Sequence, residues 1–117
     1  MKVRPQSRRI RDDNLKSGRK STHEQGVLNF KRGKELQKED RFLEALDAYI
    51  KATICDNNYF QAHCNMGTCF RSLGKYLEAR NSYHRALGIN PEDAITLYNL
   101  ANLERLIGNY DKSILYY

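Results

Sequence analysis

Large apolar side chains are few over the first twenty residues, only Val3, Ile10 and Leu15, and they follow no helical or strand period. So sparse a stretch cannot bury enough surface to offset the entropy of ordering its backbone, and residues 1–20 are expected to form a disordered arm. The pattern changes at Ser21. There "STHE" offers a capping box: the Ser21 hydroxyl accepts from the amide of Glu24, whose carboxylate reaches back to the amide of Ser21. From that point apolar residues recur at helical spacing, and helices are expected at about 22–38, 42–55, 60–72, 76–88, 94–106 and 110–117.

The pattern also repeats on a longer scale. Shifted by 34 residues, Asp40–Asn58 lies over Gly74–Glu92 and then over Gly108–Tyr117. Aromatic residues coincide at Phe42, Tyr76 and Tyr110, small ones at Ala45, Ala79 and Ser113, and tyrosines at Tyr49, Tyr83 and Tyr117. Upstream, Gly33, Gly67 and Ala101 stack in the same register. Small residues where two antiparallel helices cross let their axes approach closely, and large neighbours one turn away fill the remaining space. Pro91 ends a second helix because it cannot continue the hydrogen-bond ladder.

A 34-residue period with a small residue in the first half, a turn, then small-x3-aromatic-x2-small and often proline resembles the tetratricopeptide repeat. The resemblance covers Gly26–Tyr117: two full repeats, 26–59 and 60–93, and an incomplete third, 94–117, within a domain spanning 21–117. It implies an all-α solenoid of stacked antiparallel helix pairs wound into a right-handed superhelix, with Gly33, Ala45, Tyr49, Gly67, Ala79, Tyr83, Pro91, Ala101 and Ser113 as repeat-packing residues. Asn29 and Arg32 stand where that family places large apolar residues, which suits the first unit of an array. Glu104 replaces the apolar type seen at Leu36 and Phe70, and Tyr110, Ile114, Leu115, Tyr116 and Tyr117 have little to cover them. The expectation is a fragment, a truncated product or a module completed by self-association through its carboxy-terminal end.

Composition narrows the class further. Apolar residues make up 40% of the chain and charged ones 29%, a balance that suits a globular helical protein rather than a fibrous or disordered one. No apolar run approaches the roughly 18 residues of a membrane span. The amino terminus has no apolar signal core, so a cytoplasmic or nuclear address is the default. Three cysteines without an export signal read as reduced thiols. The charge of +6 is concentrated: residues 1–25 hold eight Lys/Arg and three acids, whereas the remaining 92 residues hold 12 and 11. The arm could therefore contact a polyanion such as nucleic acid, although it offers no aromatic residue to stack on bases.

Residues of catalytic type do not form a constellation. Cys64 and Cys69 lie about 140° apart around a helix and diverge too far to share a zinc ion, and His23 and His84 lack an arranged nucleophile or carboxylate. Neither a metal nor a cofactor is expected, and the chain is read as not an enzyme. In the family resembled, the first helix of each unit lines a groove for an extended peptide or a partner's helix. The matching positions here are Lys31, Lys34, Asn65, Thr68, Asn99 and Asn102, flanked by Val27, Phe30, Gln61, Cys64, Ile95 and Tyr98. One subfamily clamps acidic chaperone tails with five Lys, Asn or Arg residues. The corresponding places are Phe30, Lys34, Asn65, Ile95 and Asn99, of which only Asn65 is the residue type expected at its own place, so the pattern speaks against such a clamp. Asn65 and Asn99, one repeat apart, are similar to the asparagine ladder of superhelical repeat proteins, whose amides bond a peptide's backbone. The expected function is non-catalytic protein binding as a scaffold or adaptor; the alternatives are the amino-terminal recognition region of a larger enzyme, or a polyanion tether acting through the arm.

Overall fold

A computed structural model describes residues 22–116, with side chains as far as Asn109. The basic arm, Ser21 of the capping box and Tyr117 lie outside the described residues, as does the side chain of Ser113. The described chain forms helices α1 (Thr22–Lys38), α2 (Phe42–Cys55), α3 (Phe60–Ser72), α4 (Tyr76–Ile89) and α5 (Ala94–Tyr116), with no strand among them. α1 packs on α2 and α3 on α4 as pairs, α2 meets α3 between units, and α5 closes on α4.

Each pair is turned by the same device. In the first, Asp40 takes a left-handed φ of 59° and Arg41 N–H donates to the Leu36 carbonyl at 3.0 Å. One repeat later Gly74 takes a φ of 79° and Lys75 N–H donates to the Phe70 carbonyl at 2.8 Å. This six-residue closure satisfies carbonyls that a helix end otherwise strands, and it needs a residue that tolerates positive φ. α4 ends at Ile89, with Asn90 as its C-cap and Pro91 exposed in the following turn. Asp93 then caps α5, its Oδ2 accepting from Thr96 N–H at 2.9 Å and Thr96 Oγ1 at 2.6 Å.

Tyr49 and Tyr83 are completely buried and seal the helix crossings. A Cβ added to Gly33 would lie 2.5 Å from the Tyr49 ring, and one added to Gly67 would lie 2.6 Å from the Tyr83 ring. Ala45 and Ala79, fully buried, keep the second helix of each pair close. Two clusters result. The first joins Leu36, Leu46, Tyr49 and Cys69; the second joins Cys64, Tyr83, Ala86 and Leu103; Phe70 packs against both and links the units.

The third unit departs from the expected break between 106 and 110. α5 runs unbroken through Gly108, and the positive-φ residues are only Asp40 and Gly74 among the described residues. Ala101 is exposed rather than packed. The Cβ it carries is what Gly33 and Gly67 lack, so a tyrosine folding back in the earlier geometry would collide with it. Continuing the helix instead keeps every backbone hydrogen bond within it.

The two ends of the stack differ in chemistry. Arg32 and Glu35 on α1 and Glu39 in the turn after it are exposed, although the matching positions are Met66 and Cys69 on α3 and Leu73 just beyond it, all packed in the first cluster. At the other end Glu104 joins Arg80 in a two-pronged ion pair, with Nε to Oε1 at 2.6 Å and a second bond of 3.2 Å to Oε2. Their counterparts one repeat earlier are Leu46 and Phe70, both in the first cluster. The polar residue at 104 is thus matched by a polar residue at 80.

Candidate interaction groove

A groove of about 400 Å³ opens across the first helices of the three units, lined by Phe30 and Lys34 of α1, Phe60, Gln61, Cys64 and Asn65 of α3, Asp93, and Ile95 of α5. An adjoining hollow of about 360 Å³ shares Lys34 and Asn65 and adds Gln37 and Lys38. Helical spacing produces this arrangement: residues three or four apart on one helix share a face, and stacking brings three such faces side by side.

The walls are held in place by aromatic packing. The Phe30 ring stacks on Tyr59 at 4.9 Å and tilts against Tyr49 at 5.7 Å. Lys34 Nζ sits 5.5 Å from the Phe30 ring centre, where the ring's negative face attracts it. Neither Lys31 nor Lys34 has a carboxylate within ion-pair distance among the described residues, whereas Lys38 pairs with Glu35 at 3.4 Å.

The polar groups of the groove are only partly committed. Asn65 Nδ2 donates to the Tyr49 hydroxyl over a long 3.4 Å, and that hydroxyl donates to Gln37 Oε1 at 2.7 Å. Asn99 Nδ2 reaches only the Cys64 sulfur, at 3.8 Å. Thr68 is turned inward, bonded to the Tyr83 hydroxyl at 2.9 Å and within 3.5 Å of the Cys64 carbonyl. Burial pushes the Tyr49 phenol well above its usual range and raises the Tyr83 phenol and the Cys64 thiol, the latter despite the donors Thr96 and Asn99 beside it. Burial likewise pushes the Cys69 thiol up to about 11. Burial thus favours the protonated form of each of these groups.

Of the positions read from the sequence, Lys34 and Asn65 line the groove together with the flanking Phe30, Gln61, Cys64 and Ile95. Lys31, Thr68, Asn99 and Asn102 do not line it, and neither do Val27 and Tyr98. Phe60, Asp93, Gln37 and Lys38 were missed. Phe60 and Asp93 begin or precede helices, and a projection counted from the mid-helix glycines cannot say how far a groove extends past a helix end. His63 is a structural residue: it is buried and its Nε2 donates to the Asn57 carbonyl at 3.1 Å, while Arg85 bonds Asn57 Oδ1 at 2.9 Å. No group of three or more possible ligating side chains is placed to hold a metal ion among the described residues.

Antiparallel helix pairs, a glycine–tyrosine crossing in each complete unit and a groove along the first helices define a tetratricopeptide-repeat solenoid. Residues 60–93 match the tetratricopeptide repeat family. Among solved structures, it is similar to the second such domain of Spaghetti (RPAP3), bound to the HSP90 peptide SRMEEVD (TM-score 0.71, 16% identity, 80% of this chain and 86% of that one). The Arabidopsis OM64 TPR domain is similar as well (TM-score 0.72, 16% identity, 77% of this chain and 74% of that one). By sequence, the chain is 35% identical over 79 residues to Mus musculus protein O-mannosyl-transferase TMTC1, covering 68% of this chain and 8% of that protein. It is 32% identical over 98 residues to the Homo sapiens cell division cycle protein 16 homolog, covering 81% of this chain and 16% of that protein. The chain thus spans a small part of the length of these relatives. No helix is long and apolar enough to cross a membrane among the described residues.

Proposed function

We propose that the chain is a non-catalytic protein-binding module, a scaffold or adaptor that receives an extended segment of a partner in the groove across α1, α3 and α5. The observation that carries this reading is the groove itself: apolar walls at Phe30, Phe60 and Ile95 flank Lys34 and Asn65, whose polar groups are not fully satisfied within the chain. An apolar side chain of the partner fits between the walls, and the Asn65 amide can bond its backbone. Lys34 and Lys38 favour an acidic group at the α1 side.

The Spaghetti domain is seen with an HSP90 peptide, and its likeness to this chain supports a peptide-binding fold. A chaperone-tail clamp is not the reading favoured here, because Phe30 and Ile95 occupy two of the places that such a clamp fills with polar or basic residues. The similarity to part of TMTC1 favours a second reading, in which these repeats are the recognition region of a larger enzyme.

Capture from a cytosolic extract followed by mass spectrometry tests the first reading, comparing the 117-residue chain with Lys34→Ala/Asn65→Ala, with Leu43→Ser and with a chain lacking residues 1–20. Leu43 is 67% exposed and lies on α2, away from the groove. Partners lost only from the Lys34/Asn65 variant support the groove. Partners lost only without the arm would move recognition to the basic tail and overturn the reading.

A further inference from the structure

The groove carries a charge of each sign on opposite sides. Lys34 enters from α1 and has no carboxylate within ion-pair distance among the described residues. Its ammonium lies 5.5 Å from the centre of the Phe30 ring, so an apolar wall holds it and no acid neutralises it. Lys38 in the adjoining hollow strengthens that side, although Glu35 at 3.4 Å shares its charge.

Asp93 enters from the turn before α5 and is half-buried. Both of its bonds to Thr96 fall on Oδ2, which leaves Oδ1 free to accept, and no Lys or Arg lies within ion-pair distance of it among the described residues. The amino end of α5 carries about half a unit of positive charge, too little to cancel a whole carboxylate. Between the two sides α3 presents Phe60 and Cys64. Burial raises the Cys64 thiol and the Asp93 charge adds to it, a sign that the carboxylate acts on the groove floor.

We propose that the occupant of the groove is an extended segment of mixed charge, with an acidic side chain at Lys34, an apolar one against Phe60 and a basic one at Asp93. The inference rests on the groove reading and adds to it a ligand class and an orientation. An all-acidic segment would be attracted at α1 and repelled at α5, and an all-basic one the reverse. Turning a mixed segment end for end would set like charges together, so the groove also fixes the direction in which it lies.

A random peptide library displayed on phage and selected on the immobilised 117-residue chain tests the proposal. Enriched sequences are expected to carry Asp or Glu on one side of an apolar residue and Lys or Arg on the other, in one order along the peptide. Selection on an Asp93→Lys chain is expected to replace the basic position by an acidic one. Exchanging the base of the enriched parent peptide for Gln is expected to weaken binding about three- to fivefold, a difference that Asp93→Asn removes while keeping an oxygen to accept from Thr96. Lys34→Gln is expected to remove the corresponding effect of the peptide's acid.

Ile95→Ser takes away an exposed apolar wall and neither charge, so it reports on the groove alone. Enriched sequences of a single sign or of no charge, lost on the Ile95→Ser chain, would overturn the mixed-charge inference and leave the groove reading standing. A peptide whose dependence on its own base survives Asp93→Asn would overturn the inference in the same way. No enrichment, or sequences that bind the Ile95→Ser chain as tightly as the parent, would overturn both. If Asp93→Lys loses helicity by circular dichroism, the Asp93→Asn comparison decides.

Discussion

At the scale of single residues, the fold turns on a pairing of extremes, the smallest side chain against a large ring. Gly33 and Gly67 allow Tyr49 and Tyr83 to lie directly on the first helix of each unit, and both rings are completely buried, so neither can retreat. Gly67→Ala is therefore expected to destabilise the chain by about 1–3 kcal/mol through overpacking. Gly88→Ala, in the last turn of α4 with nothing near, should raise stability by up to about 0.5 kcal/mol by lowering the entropy of the unfolded chain. Urea unfolding followed by circular dichroism measures both, and equal effects would contradict the packing argument. His63 gives a pH dependence. Its burial, with Arg85 nearby, holds its pKa below the ordinary value despite the bond to Asn57. As pH falls through about 6.5 the unfolded chain takes up the proton first, so stability is full above that value and declines from there towards the lower folded pKa. A His63→Gln chain, still able to donate to Asn57, should show a flatter urea midpoint between neutral and mildly acidic pH.

At the scale of helices, two positions one repeat apart show how an interface can change chemistry while keeping its geometry. Leu46 and Phe70 belong to an apolar cluster, and their counterparts Arg80 and Glu104 meet as an ion pair with side chains 34% and 48% exposed. Solvent screens a pair this open, so a double-mutant cycle on Arg80→Ala and Glu104→Ala should give a coupling of about 0.5–1 kcal/mol, reduced by salt. A coupling that salt leaves unchanged would mean that the pair is more enclosed than its exposure indicates. From the sequence, Glu104 is a departure from the apolar pattern; its partner is invisible there because 24 residues separate them. The loop of Asp56, Asn57 and Asn58 is hidden for the same reason, tied by His63 from one helix and Arg85 from another.

At the scale of the whole molecule, a solenoid has no single centre, and each unit is stabilised by its neighbours. α2, α3 and α4 each pack against a helix on either side, α3 contributing to both clusters, whereas the buried residues of α5 are Thr96 and Leu103 among the described residues. Amide hydrogen exchange in dilute monomer should therefore be slowest in α2–α4 and become faster along α5 beyond Leu103. Slow exchange along α5 up to Asn109 would contradict this ordering.

The repeat and its helices were legible because the constraints that set them are local and recur every 34 residues: small residues at crossings, rings one turn away, and turn residues that accept positive φ. Lys34 and Asn65 were placed on the groove by the family resemblance, which names the first helix of each unit, combined with helical spacing counted from the repeating glycines. The run of α5 through Gly108 was not legible, because the same glycine can turn or continue a helix depending on whether a second helix packs over it. Only the three-dimensional arrangement shows which occurs: α5 continues through Gly108, and the backbone there does not take the positive φ of Gly74. Packing across units likewise decided which asparagines and threonines were already engaged, because a side chain's freedom depends on neighbours a full repeat away.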